Sequence, residues 1–352
     1  MQKIAIIGSG ISGLSISYLL NPEYDITIFE KNSKIGGHAN TANINYNGEK
    51  IAVDTGFIVY NFRTYFHLKK LFEYLKVDIV DSDMSFGIKD YNSNLEYSGT
   101  SISGLFAQRK NIFNYRYLLM IKDILKFNKH SIKLIENSDS KIENLTLEQF
   151  LNELKLGKYF KDFYLLPMAS AIWSCPIEEM KSYPAKTFLQ FFYNHGLLTI
   201  TNQPKWYSVK NGSQQYLEKI SANFLDKIKL NTEITKSYRQ NNLVILEDNK
   251  GEKYEFDQVI FASHANQTFE IIQDKNQVEE RILGSFKYSD NLAVLHNDEN
   301  HWHPVKWYGP GFAAHWLYQT VSRTQRSPIY HRSQLSDLSG FADVHPYSVF
   351  LT

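Results

Sequence analysis

Gly8-Ser9-Gly10-Ile11-Ser12-Gly13 is the stretch of this 352-residue chain whose residue types and spacing are best fitted to chemistry. A glycine at the first position permits a tight turn, one at the second lets backbone approach a pyrophosphate, and one at the third lets a helix pack closely on a strand. The amides from Ser9 to Gly13 then face phosphate oxygens at the positive end of a helix. Glu30, 22 residues after Gly8, is placed to accept hydrogen bonds from ribose hydroxyls. Such an acceptor suits a free 2′-hydroxyl better than a 2′-phosphate, which favours FAD or NAD over NADP.

The flanking residues supply the elements that must hold this loop. Ile4-Ala5-Ile6-Ile7 is a short apolar run of the kind buried on both faces of a parallel sheet. Residues 14–20 continue as an apolar helix, Asn21-Pro22 breaks it, and Asp25-Ile26-Thr27-Ile28-Phe29-Glu30 alternates like a second strand. This strand–turn–helix–strand context gives the glycines their meaning. A plain βαβ crossover is the alternative. The opening residues are too few, and lack the cleavage pattern, for a signal peptide.

Composition narrows the class. With 38 basic and 37 acidic residues the chain has no concentrated positive charge for neutralising phosphates, so a nucleic-acid partner is not expected. A mean hydropathy of -0.36 and the lack of an 18-residue apolar run argue against a membrane span. The single cysteine, Cys175, leaves no intramolecular disulfide and no Cys-based metal site, which fits a reducing, cytoplasmic setting. There is no His-Glu-x-x-His metal motif, no Walker loop and no Gly-x-Ser-x-Gly elbow, and no metal is expected.

The continuation Glu30-Lys31-Asn32-Ser33-Lys34-Ile35-Gly36-Gly37-His38-Ala39-Asn40-Thr41 resembles the flavin-dependent amine oxidase and phytoene desaturase superfamily. That fingerprint extends the glycine motif with an acidic residue, a basic neighbour and a Gly-Gly pair. The resemblance implies FAD as cofactor, with Gly36 and Gly37 packed over its pyrophosphate. His38 stands where the family usually has Arg, so a permanent charge becomes a pH-dependent one. Asn47-Gly48 marks a hairpin between 41–46 and 50–53 that leads into Asp54-Thr55-Gly56. By resemblance, Thr55 and Gly56 lie beside the isoalloxazine ring; otherwise Gly56 simply ends a hairpin.

The resemblance also implies an α/β fold in which a Rossmann-like FAD-binding domain, discontinuous over 1–62 and 208–300, carries an inserted α+β substrate domain over 63–207. Helical periodicity covers 63–76, 103–136 and the stretch from Pro184 to His195, and Thr146 with Gln149 forms a capping box. A hairpin joins 85–88 to 95–97. Strands are expected over 228–236, 243–246, 253–256 and 257–262, and in the family the residue corresponding to Ile234 binds adenine through its backbone. Arg109, Lys110, Arg116, Tyr117 and Lys122 form a basic, aromatic face suited to peripheral membrane contact or a lipid-like substrate, or simply to solvent.

The strings 166–174, 191–197 and 206–213 look like a bacterial clade of amine-oxidase-like proteins described as predicted NAD/FAD-binding proteins. Within them His195 reads as a helix cap rather than a catalytic group, and Trp173 and Trp206 as aromatic core rather than cavity lining. Cys175 has no helix start or basic cluster beside it to activate the thiol. Lys287 is in a plausible region for a lysine near the flavin, but lysines are too common here to single it out.

A flavin supplies the redox step, so the expected function is an FAD-dependent oxidoreductase oxidising a C–N or C–C bond of a small or lipid-like substrate by hydride transfer. No catalytic acid–base pair stands out. An NAD-dependent dehydrogenase is the weaker alternative, because it leaves Gly36-Gly37 and the helical insertion without a role. A third reading is a catalytically inactive FAD-like fold. It comes from residues 302–352, which hold one lysine, Lys306, and no Asn or Glu, whereas the preceding 301 residues hold all 28 asparagines and all 20 glutamates. Neither Gly309-Pro310-Gly311 nor Gly340-Phe341-Ala342-Asp343 satisfies the family's second FAD motif. We expect this atypical tail to reflect a reading-frame change near codon 301 rather than a genuine lineage-specific tail, and, if the frame is changed, weak or absent flavin in the purified chain.

Overall fold

The computed structural model describes residues 1–46, 48–82, 84–90, 93–99, 101–138, 140–173, 175–199, 203–288, 293–296, 314–320, 329–332 and 348–351. The chain divides into two units. The first comprises Met1–Ile58, Leu71–Asp78 and Val209–Asp290, and the second Val59–Lys70, Ile79–Ser208 and Asn291–Thr352. The expected boundaries differ from these: residues 71–78 go with the first unit, whereas residues 59–62, Ser208 and the described residues beyond 290 go with the second.

In the first unit the apolar run becomes β1 (Lys3–Ile7), with every residue after Lys3 buried. Helix α1 (Ile11–Leu20) returns the chain to β2 (Asp25–Phe29), parallel to β1 with Ile6 opposite Ile28. A hairpin of β3 (Thr41–Tyr46) and β4 (Glu49–Asp54) follows. Later come α2 (Gln214–Ser221), β5 (Ile228–Lys229), the antiparallel meander β6 (Ile234–Gln240), β7 (Leu243–Asp248) and β8 (Lys253–Phe256), and finally β9 (Gln258–Phe261). The four-stranded sheet runs β5-β2-β1-β9, all parallel. Its buried face carries Ala5, Ile7 and Phe29, which pack on Ile234, Leu246 and Phe256 of the meander. The two-faced burial explains why β1 is an unbroken apolar run rather than an alternating one.

The expected strand over 228–236 is two strands. Ile228–Lys229 joins the parallel sheet beside β2, Asn231 turns the chain in the left-handed region at φ 52°, and Ile234 opens the meander. Asn tolerates that conformation better than most residues.

The second unit is built on a helical core. Phe127 and Tyr117 from Tyr115–Glu136, Phe150 from Leu147–Glu153, Met168 from Leu166–Trp173, and Phe188 and Phe192 from Ala185–Asn194 are all buried together. Thr146 and Gln149 form the capping box, and Pro184 precedes its helix as expected. The expected helix over 103–136 is broken into Ile102–Leu105, the 3-10 turn Arg109–Phe113 and Tyr115–Glu136. Asn114 makes the break, since its side chain caps the amides of Arg116 and Tyr117. Tyr117 is fully buried, so the basic face expected from the sequence does not include it.

The hairpin Met84–Asp90 and Leu95–Ser98 edges a six-stranded sheet completed by Ala314–Thr320, Ile329–Arg332, Ser348–Leu351 and Ala293–His296. Ala314–Thr320 lies parallel to Met84–Asp90. The composition change at Trp302 and the glycines at 309, 311 and 340 fall outside the described residues. Among the described residues no helix is long and apolar enough to cross a membrane.

Candidate functional site

The glycine loop closes tightly at two of its three glycines and stays open at the third. Gly8 sits at φ +103°, and a Cβ there would lie 2.9 Å from the Ala262 carbonyl oxygen. A Cβ on Gly13 would stand 1.9 Å from the Gly8 carbonyl oxygen. At Gly10 the same test meets only the Gly37 Cα, at 3.9 Å. Ser9 and Gly13 are buried while Ile11 and Ser12 are exposed. Gly10 offers α1 no side-chain cap, and no acidic residue stands in the first helical turn. The open position and the uncapped amides therefore coincide, as an anion at a helix start requires.

Glu30 ends β2, is 5% exposed, and holds the loop in place. The Ser9 amide and hydroxyl both donate to Oε2, at 3.0 and 2.5 Å, and the Asn32 amide donates to Oε1 at 2.9 Å. By lone-pair count Oε1 can accept one further hydrogen bond. Next to it, Lys31 is exposed.

Backbone bonds knit two more loops to this one. The Gly36 amide donates to the Ser9 carbonyl at 3.0 Å, the Ala39 amide to Gly36 at 3.0 Å, the Phe57 amide to His38 at 2.9 Å and the Thr55 amide to Asn40 at 2.9 Å. The Asn40 side chain also donates to Thr55 Oγ1 at 2.6 Å. A Cβ on Gly56 would lie 1.9 Å from the His38 carbonyl oxygen. Gly8–Gly13, Gly36–His38 and Thr55–Gly56 are thus one continuous structure, with Gly37, His38 and Gly56 exposed on it.

Asp54 anchors that structure from below. Its buried carboxylate accepts the Ser213 amide on both oxygens at 2.9 Å, the Ser213 hydroxyl at 2.8 Å and the Thr41 hydroxyl at 2.6 Å. Burial pushes this carboxyl above its ordinary value, and the bonds from Thr41 and Ser213 pull it back only in part. Sequence reasoning missed the pair because 159 residues separate them. The available signal was Asn211-Gly212, two left-handed residues at φ 62° and 91° that turn Ser213 toward the hairpin.

Ile234 joins the site through the turn before it: the Thr232 amide donates to the Glu30 carbonyl at 2.9 Å and the Asn231 amide to Asn32 at 3.0 Å. His264, which the sequence did not flag, stacks on His38 with ring centres 5.3 Å apart and on Tyr288 at 4.4 Å. Burial lowers its pKa from the ordinary 6.5, helped by the neighbouring His38 and Lys31. His38 and His264 are thus paired rings, with Lys31 near enough to act on His264 electrostatically.

The remaining candidates belong to the second unit or lie apart. His195 caps its helix, with ring Nδ1 2.9 Å from the Phe191 carbonyl, and burial lowers its pKa. Trp173 stacks within Tyr183, Phe188, Phe191 and Phe192, and Trp206 is buried. Burial and Glu179 push the Cys175 thiol up to about 11, away from nucleophilic reactivity. Lys287 is exposed. Among the described residues no cluster of His, Cys, Asp and Glu could hold a metal ion.

A sequence profile described as an NAD(P)-binding Rossmann-like domain matches residues 6–75. A protoporphyrinogen oxidase from Dictyostelium discoideum is 24% identical over 357 residues, covering 84% of this chain and 66% of that protein, so the chain spans just under two thirds of the relative's length. A CLA-producing fatty acid isomerase from P. acnes superposes with a TM-score of 0.63 at 15% identity, over 99% of this chain and 76% of its own. A putrescine oxidase bound to putrescine superposes with a TM-score of 0.64 at 13% identity, over 100% of this chain and 75% of its own.

Proposed function

We propose that the chain is an FAD-dependent oxidoreductase that oxidises a C–N or C–C bond of a small or lipid-like molecule, a reading supported by its Rossmann-like profile match and its likeness to a protoporphyrinogen oxidase and a putrescine oxidase. One observation carries the reading: the backbone bonds from Gly36 to Ser9, Phe57 to His38 and Thr55 to Asn40 hold three loops as one cradle. An NAD site would need the first loop alone.

In this cradle Gly10 and the uncapped amides of Ile11 and Ser12 would hold the pyrophosphate, with Gly37 packed directly against Gly10. Lys31 would supply positive charge near it, and the stacked rings of His38 and His264 would offer ring nitrogens as hydrogen-bonding groups. Glu30 would take a ribose hydroxyl on its remaining acceptor position, the Ile234 backbone would meet adenine, and Thr55 and Gly56 would serve the ring end. FAD, when bound, accepts the hydride. The protein's share is to orient the substrate and exclude water, and no acid–base pair is assigned to the step.

Anaerobic mixing of the FAD-loaded chain with putrescine, as a C–N donor, and with protoporphyrinogen, as a C–C donor, tests the redox reading. Bleaching of the flavin band by either supports it. A loaded flavin that stays oxidised with both contradicts it.

A further inference from the structure

Between Ile102 and Lys122 the chain carries Arg109, Lys110, Arg116 and Lys122 and no acidic residue. This same stretch turns large apolar side chains outward: Phe113 is 91% exposed, Ile102 75% and Tyr115 73%, and Ile112, Leu118 and Leu119 are exposed as well. Along the helix from Tyr115 the helical period puts Tyr115, Leu118, Leu119, Lys122 and Leu125 on one outer face, while Tyr117, Met120 and Ile124 pack inward. The fold fixes that orientation, because the Tyr117 hydroxyl donates to the Leu105 carbonyl at 2.5 Å. Asp90, which acts electrostatically on Tyr159 together with Arg116, is itself buried. Lys110 and Phe113 also border a polar cleft with Ser93, Asn94, Gln108 and Asn111.

A core-forming protein normally buries side chains of this size, and solvating them together is unfavourable. Apolar anchors interleaved with four cations, with the one neighbouring carboxylate of the helix, Asp123, engaged by the Gly157 amide at 2.8 Å, match the boundary between headgroups and acyl chains in a bilayer containing anionic lipid. There Phe, Tyr, Leu and Ile enter the acyl edge while Lys and Arg meet phosphates. We propose that residues 102–122 form a peripheral docking surface for an anionic bilayer. The surface lies within the second unit and does not depend on the flavin, so its failure would leave the redox reading untouched.

Flotation of the full chain with vesicles on a density gradient tests it. With phosphatidylcholine vesicles containing phosphatidylglycerol the chain floats, and raising the salt concentration releases it. With phosphatidylcholine alone it stays at the bottom. Phe113→Asp and the double variant Arg109→Glu, Lys110→Glu each lower the floating fraction at least tenfold with unchanged far-UV circular dichroism. Val278→Asp, at an exposed position in the first unit, floats like the parent. Equal flotation with both vesicle types, no flotation at all, or concentration-dependent self-association that Phe113→Asp abolishes would each overturn the proposal.

Discussion

The Gly13 backbone lies so close beneath Gly8 that a Cβ on Gly13 would sit 1.9 Å from the Gly8 carbonyl oxygen, whereas a Cβ on Gly10 would meet nothing nearer than 3.9 Å. The two glycines therefore serve different ends. Gly13→Ala forces strand and helix apart and costs about 1–3 kcal/mol or more, seen as a lowered unfolding midpoint. Gly10→Ala melts with the parent and weakens FAD binding alone. Equal effects of both substitutions on stability would refute this division.

Glu30→Ala removes the acceptor for the amides of Ser9 and Asn32 and for the Ser9 hydroxyl. Leaving buried donors unsatisfied costs about 1–3 kcal/mol. Calorimetric titration with FAD should show weakened binding alongside the lower midpoint. Unchanged affinity in a folded variant would exclude Glu30 from the ribose contact.

Asp54→Ala frees Ser213 and Thr41 from a carboxylate that accepts from both. Hydrogen bonds to charged groups contribute about 1.5–3 kcal/mol each, so the urea midpoint should fall clearly. A midpoint equal to the parent's would mean that the hairpin and α2 do not rely on this anchor.

The reach of the sequence follows from how local each feature is. The glycine loop and Glu30 were legible because their spacing encodes one supersecondary unit, and the Gly36-Gly37 pair only through its resemblance to a family fingerprint. The hairpin of Thr41–Tyr46 with Glu49–Asp54 and the Thr146 capping box were likewise legible from local spacing. Asp54 with Ser213, and His38 with His264, were not, since each pair meets only when distant segments pack. Tyr117 was misplaced because its charged neighbours suggested a surface, while the helical phase set by Asn114 turns it inward. The strand over 228–236 was read through Asn231, whose left-handed turn a β-rich run disguises.

Acidification should weaken the fold through His195 and His264. Burial lowers both pKa values from the ordinary 6.5, so below that pH the unfolded chain binds more protons than the folded one. Stability therefore rises with pH across this window and is lost as pH falls from 6.5 toward the lowered folded values. Urea midpoints measured downward from neutral pH should decline, and His195→Phe should decline less steeply. A midpoint that rises on acidification through this range would contradict the assignment.

The cradle itself is tested most directly by equilibrium titration of the purified chain with FAD and with NADH, followed by flavin fluorescence and calorimetry, with Gly10→Val in parallel. The account predicts saturable FAD binding that Gly10→Val weakens at least tenfold without loss of fold. A chain that takes up NADH in preference to FAD, or binds FAD equally well with valine at position 10, would contradict it.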